Sequence, residues 1–132
     1  MKVSLYPGCT AHSTGVEYSE SMHAVFDALG VEFVEVEDWN CCGGAAAHCL
    51  SNFLGLALPA RNIAKAQAND LPLVVPCPGC FNAVKRAQHA LTNDPEMRQQ
   101  LEEAINFKYE DNLQIKAMFD VVLEVGAEKL AA

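Results

Sequence analysis

Hydrophobic positions along the first ninety or so residues change period again and again. Lys2–Tyr6 is a short run (Lys-Val-Ser-Leu-Tyr) ended by Pro7–Gly8, the signature of a strand running into a turn. From Tyr18 the apolar residues are Tyr18, Met22, Val25, Phe26 and Leu29, spaced 4, 3, 1 and 3, which lays one face along a helix. Ser13 or Thr14 can cap its start, and Gly30 stands where a helix stops. Val31–Val36 alternates as a strand and ends at Glu37–Asp38–Trp39–Asn40. A second helical stretch runs from about Ala45 to Asn69, with Pro59 inside it. Either the helix kinks there, or two helices abut with Pro59 in the first turn of the second. Leu71–Val75 predicts a third strand, and Phe81–Leu91 returns to helical composition. Asn93–Asp94–Pro95 reads as a cap followed by proline at the first helical position, opening a polar helix to about Ile105. Phe107–Asn112 is a connector, and Leu113–Val125 is apolar up to Gly126.

Strand, helix, strand, helix, strand, helix is the order that builds a parallel sheet with crossover helices. The expected fold is therefore α/β: three layers, a small parallel sheet (βαβαβα) and extra C-terminal helices. At 132 residues the chain is one domain's worth, with 51% hydrophobic and 20% charged residues, a composition that excludes wholesale disorder. A net charge of −8, with Lys85–Arg86 as the only adjacent basic pair, gives no footprint for a nucleic acid. No apolar run approaches the roughly 20 residues that cross a bilayer. Met1–Tyr6 lacks the long apolar core and cleavage site of a secretory leader, so none is expected.

Six cysteines remain. Without an export signal they read as metal, cluster or redox chemistry before disulfides. Cys9 follows the first expected strand, Cys41 and Cys42 the second, Cys77 and Cys80 the third. The carboxyl ends of parallel strands share one edge of the sheet, where ligands bind in such folds. Inert cysteines belong inside strands or on apolar helix faces; these five lie in loops beside Gly, Pro or Asn. Thiolate-rich sites suit zinc or iron–sulfur clusters. Structural zinc usually draws on two Cys-x-x-Cys pairs. Here there is one such pair, one adjacent pair and one singleton. Adjacent side chains diverge, so Cys41 and Cys42 suit different irons of a polynuclear cluster better than one ion. Gly8, Gly43, Gly44 and Gly79 would let backbone approach it closely. Cys77-Pro78-Gly79-Cys80 between a strand and a helix also matches a thioredoxin-type redox site, a reading that leaves Cys9, Cys41 and Cys42 idle.

Thirty-one residues separate Cys9 from Cys41, and thirty-four separate Cys42 from Cys77. With Tyr6-Pro7-Gly8-Cys9, Asp38-Trp39-Asn40-Cys41-Cys42-Gly43, Leu58-Pro59-Ala60-Arg61-Asn62 and Pro76-Cys77-x-x-Cys80, the chain resembles the cysteine-rich CCG domain. The likeness is greatest to the N-terminal copy in the B-type subunits of heterodisulfide reductase. It runs from Met1 to about Leu91. The resemblance implies a [4Fe-4S] cluster in a noncubane arrangement, held by Cys9, Cys41, Cys42, Cys77 and Cys80 and lost on purification in air. It also implies a cytoplasmic complex with electron-donating iron–sulfur and flavin subunits that reduces a disulfide, such as that of coenzyme M and coenzyme B. Subunits of this family usually carry two CCG domains. Residues 1–132 hold one, so they are expected to be half of such a subunit or a fragment of it, inactive alone.

Around the five, Cys49 is expected to be a packed thiol. His48 is the candidate proton donor to a departing thiolate, and His12 is more simply a surface or capping residue. His23 and His89 belong to the surface, Trp39 to packing over the crevice and Arg61 to a solvated face. Three readings follow: a disulfide-reducing subunit, an electron-relay or docking module with no substrate chemistry, and a thiol- or zinc-based structural domain.

Overall fold

The computed structural model describes residues 1–44 and 46–131. Among these, four parallel strands form one sheet: β1 (Lys2–Leu5), β2 (Glu32–Glu35), β3 (Leu73–Val75) and β4 (Ile115–Ala117), in the order β2-β1-β3-β4. Between and after them run α1 (Val16–Ala28), α2 (Ala46–Leu50), α3 (Asn52–Gln67), α4 (Pro78–Asn93), α5 (Pro95–Ile105), α6 (Met118–Val125) and α7 (Ala127–Ala131). Ala45, where the expected second helical stretch begins, lies outside the described residues.

Alternation along the strands sorts the helices into two layers. On β1, Val3 and Leu5 face a core with Met22 and Phe26 of α1 and Val121 of α6. Tyr6, just beyond β1, enters the opposite core with Ile63 of α3, Val84 of α4 and Leu101 of α5. β3 divides likewise: Val74 joins the first core, Leu73 and Val75 the second. Buried on both sides, β3 reads Leu-Val-Val without a polar break, as interior parallel strands do. The α/β fold with a small parallel sheet and C-terminal helices is as the alternation predicts.

Four details differ from expectation. β4 is a strand inside the stretch Leu113–Val125. Leu113-Gln114-Ile115-Lys116-Ala117 alternates, but with no turn residue before the apolar run to Val125 the boundary is hidden; the strand forms against the open edge of β3, where Leu73 pairs with Ile115 and Val75 with Ala117. The second helical stretch breaks at Ser51, not at Pro59. The Ser51 side chain accepts from the Leu54 N–H at 2.9 Å and so starts α3, while Pro59 is buried within that helix. Neither Ser13 nor Thr14 caps α1: its N-cap is Gly15, and the Ser13 hydroxyl donates to the Cys9 carbonyl. The strands are also shorter than predicted, because Tyr6, Val31, Val36 and Leu71 lie outside the ladders.

The expected stops hold. Gly30 (φ 77°) ends α1 with its own N–H on Asp27 O at 3.1 Å and the Val31 N–H on Phe26 O at 2.9 Å, a Schellman pair. Asp94 caps α5, accepting from the Met97 N–H at 3.1 Å.

Candidate metal centre

The sheet order puts a topological switch between β1 and β3: the chain leaves β1 for β2 on one side and returns to β3 on the other. Crevices at such switches form at the carboxyl ends of the strands. Cys9 lies past the end of β1 and Cys77 past the end of β3, flanking it, and the loop after β2 brings Cys41 and Cys42 to the same edge.

Local chemistry sets each thiol. Gly8 turns the chain out of β1 with φ 81°, and a Cβ there would stand 3.2 Å from Cys80 Sγ. Cys9 then opens a 3₁₀ turn, Cys9–His12, and is exposed. Cys77 is the N-cap of α4, Pro78 occupies its first turn, and Cys80 is buried one turn in. A helix start carries N–H groups without intrahelical acceptors and a partial positive charge, which favours thiolate and cluster charge. The sulfurs meet as pairs: Cys41 Sγ lies 3.9 Å from Cys9 Sγ, and Cys42 Sγ 3.4 Å from Cys80 Sγ. Two backbone donors point at them, Gly43 N–H at Cys41 Sγ and Gly44 N–H at Cys42 Sγ, both at 3.4 Å. The adjacent cysteines thus diverge to different partners.

The thiols perturb one another. Cys80 donates a hydrogen bond to Cys42, and with help from the Gly44 N–H this outweighs burial and brings the Cys42 thiol down to about 6. Cys80 is pushed up in turn, by Cys42 first, then by burial and by the neighbouring Cys77. At Cys41 the Gly43 N–H pulls down, but burial and Cys9 together outweigh it and the thiol stands above its usual value. The Tyr6 phenol is raised by burial and then by Cys80, Cys42 and Cys41.

Among the described residues, no three His, Cys, Asp or Glu side chains gather around one point closely enough to hold a single ion. A mononuclear tetrahedral site needs that convergence. Two thiol pairs and Cys77, from three loops, with backbone donors and an uncapped helix start beside them, fit a group with several metal atoms and its own sulfur better.

The remaining expected residues separate. His48 is on α2, exposed, its Cβ where a side chain on Gly55 would fall. Cys49 is exposed on α2, a correction to the packed thiol expected from its helical setting: α2 is only five residues long, and Ala47 is the one it buries. His12 stacks on Trp39 with centroids 5.9 Å apart and lies 3.6 Å from Glu35. Trp39 packs edge-on to Tyr6 and donates its indole N–H to Glu35 at 2.8 Å, as a packing residue does. His89 is exposed; His23 is half-buried, edge-on to Phe33. Arg61 is not merely solvated, for it binds Asp38 Oδ2 at 2.7 Å, the Asp38 carbonyl at 2.7 Å and Asn40 Oδ1 at 3.0 Å. Asp38 sits at φ 55° with its carboxyl held below the usual range by Arg61 and Lys65. Asn40 and Asn62 stand within the motif flanks, but neither motif nor period pairs them or gives them a role. A buried amide on a helix face otherwise lined with Ile63 and Ala66 was the available signal.

A parallel α/β sheet whose strand-end loops deliver cysteines to one edge defines a cysteine-rich α/β domain. The chain belongs to the cysteine-rich CCG domain family, whose model matches residues 3–85 and so takes in all five of these cysteines. It is 33% identical over 88 residues to the 8-methylmenaquinol:fumarate reductase membrane anchor subunit of Wolinella succinogenes, a match covering 67% of this chain and 31% of that one. It is 27% identical over 135 residues to a protein of Archaeoglobus profundus described as like the B subunit of heterodisulfide reductase, covering 98% of this chain and 45% of that one. A crystal structure of a hypothetical protein from Helicobacter pylori shares the fold, with a TM-score of 0.79 at 21% identity over 93% of this chain and 25% of that one. The chain spans less than half the length of these curated relatives. Among the described residues no helix is long and apolar enough to cross a membrane.

Proposed function

We propose that this chain is the iron–sulfur domain of a heterodisulfide-reductase-like oxidoreductase. Cys9, Cys41, Cys42, Cys77 and Cys80 are its ligands, and a noncubane [4Fe-4S] cluster its cofactor. The observation that carries this is the split of the adjacent cysteines, Cys41 toward Cys9 and Cys42 toward Cys80. A polynuclear group can use such divergent thiolates; a single ion cannot use both. When bound, the cluster supplies one-electron transfer. The protein supplies the rest: five soft ligands, Gly43 and Gly44 N–H groups that hold sulfur charge, and a buried Tyr6 and Cys80 on the inner side that exclude water.

Reduction of a disulfide takes two electrons and two protons, and His48 is the proposed source of a proton to the leaving thiolate. A disulfide such as that of coenzyme M and coenzyme B is the proposed substrate. A second CCG domain is the proposed partner within the same polypeptide, with electron-donating iron–sulfur and flavin subunits around it and the cytoplasm as the setting. Anaerobic reconstitution tests the cluster. About four irons and four acid-labile sulfides per chain are expected, and one zinc without sulfide refutes it.

One observation favours a second reading. The stretch is also similar to a protein named for anchoring a menaquinol:fumarate reductase, a name that holds no disulfide. In that reading the domain relays electrons and touches no substrate. Disulfide turnover by the chain joined to a second CCG domain separates the two.

A further inference from the structure

We propose that Asn62 is the positioning residue that splits the adjacent cysteines, and so sets which sulfur each meets. The inference rests on the cluster reading for its consequence and on hydrogen-bond geometry for its basis. Asn62 is 1% exposed, one of two buried polar residues among those described, the other being Ser4. Its Oδ1 accepts from the Asn40 N–H at 2.9 Å and its Nδ2 donates to the Asn40 carbonyl at 2.8 Å. One amide thereby pairs with both backbone polar atoms of the residue before Cys41, as a neighbouring strand would. The Tyr6 hydroxyl donates to the same carbonyl at 2.8 Å. Asn40's own amide is locked as well: its nitrogen donates to Leu58 O at 3.0 Å and Cys41 O at 2.8 Å, and its oxygen accepts from Arg61.

With both sides of Asn40 fixed to α3, the peptide entering Cys41 has one orientation. Alternation then sends Cys41 outward to Cys9 and Cys42 inward to Cys80. An amide does this at any pH, because the site needs one donor and one acceptor together, which a carboxyl offers only when protonated. An ionised aspartate would set a carboxylate oxygen against the Asn40 carbonyl; leucine would leave the half-buried Asn40 N–H unpaired and its carbonyl with the Tyr6 hydroxyl alone. Residues that hold ligands in place in this way typically change metal affinity by about 10- to 100-fold when replaced.

The test reads thiol pairing without iron and cluster properties with it. Iron-free protein is oxidised with diamide: each pair of thiols loses two electrons and two protons to the azo bond, forming a disulfide and a hydrazine. Linkages are mapped by mass spectrometry with fragmentation between Cys41 and Cys42. Wild type is expected to give Cys42–Cys80 and Cys9–Cys41. Asn62→Leu is expected to lose that preference, yielding crossed Cys41–Cys80 and Cys9–Cys42 linkages. After reconstitution it should retain iron about 10-fold more weakly and show an altered paramagnetic resonance line shape. Asn62→Asp preserves volume and carries the same expectation if the leucine variant does not fold. Ser4→Ala, which removes the other buried polar group (bonded to Asn69 at 2.9 Å), should lower stability while leaving linkages and line shape unchanged. Wild-type linkages and wild-type iron retention in the folded Asn62 variants would overturn the role. A wild type that binds no iron would instead refute the cluster reading, and the linkage map would still decide the role of Asn62.

Discussion

Gly8, Gly30 and Gly43 all have positive φ, at 81°, 77° and 85°, yet their surroundings differ. A Cβ on Gly30 would meet nothing within 4 Å. Gly30→Ala therefore isolates the backbone penalty, about 1–2 kcal/mol for a non-glycine residue at such angles. At Gly8 the added methyl would press on Cys80 Sγ at 3.2 Å, a contact that relaxes only if the sulfur moves by a few tenths of an ångström. Gly8 also has ψ 162°, a conformation essentially restricted to glycine, so Gly8→Ala should cost more than Gly30→Ala, up to about 3 kcal/mol, and displace a proposed cluster ligand as well. At Gly43 the methyl would lie 2.6 Å from Ala47 Cβ and 2.9 Å from Leu58 Cδ1, and the first of these atoms is fixed to the backbone of α2. Overpacking of that kind adds about 1–3 kcal/mol, so Gly43→Ala should be the most damaging of the three. Urea unfolding of the reduced, iron-free variants, followed by circular dichroism, gives the stabilities. Iron and sulfide content after anaerobic reconstitution gives the consequence at the site. The expected order of stability is Gly30→Ala highest, then Gly8→Ala, then Gly43→Ala lowest, with iron lost in Gly8→Ala and kept in Gly30→Ala. Equal iron in those two, or Gly30→Ala less stable than Gly43→Ala, would show that these contacts do not set the cost.

Replacing Cys41 or Cys42 by serine should abolish or reshape the cluster spectrum, because a hard oxygen substitutes poorly for thiolate on iron. Cys49→Ser should leave spectrum and iron content unchanged, at a stability cost of at most about 1 kcal/mol. His48→Gln should leave iron content unchanged while slowing disulfide turnover in the two-domain protein; an unchanged rate would remove His48 as the proton source. Arg61→Ala should destabilise the iron-free chain by about 1 kcal/mol through the lost bonds to Asp38 O and Asn40 Oδ1, read from denaturant midpoints. Because Asp38's carboxyl is held below its usual value, the stability it contributes is present above about pH 4 and fades as pH falls through the lowered value; the wild type should show this acid loss and Arg61→Ala should show less of it.

The parallel fold was legible because strand and helix periods alternate cleanly from Lys2 to Leu91, and because Gly30 and Asp94–Pro95 stop and start helices by local chemistry. Cys9, Cys41, Cys42, Cys77 and Cys80 were legible as a set for a topological reason: each follows a strand, and parallel strands end on one edge. β4 was masked: Leu113–Ala117 alternates, but the apolar run continues to Val125 without a turn residue, and only the open edge of β3 marks Ile115–Ala117 off as a strand. Nor was the break at Ser51 favoured over Pro59. A serine that caps a helix and one that merely lies on it look alike until the backbone around Leu54 is in place.

Periodicity, turn residues and cysteine spacing are local or nearly local, and they were enough for the class of fold, the order of its first three strands and helices, and the family to which the chain belongs. How the thiols pair, that Cys49 is exposed, and what holds the second loop come from the folded chain alone. Those outcomes depend on groups tens of residues apart: Asn62 against Asn40, Arg61 against Asp38, Gly8 against Cys80. Hydrogen bonds and close contacts between distant segments leave no period in the chain. They appear only when the sheet has brought the loops after β1, β2 and β3 to the same edge.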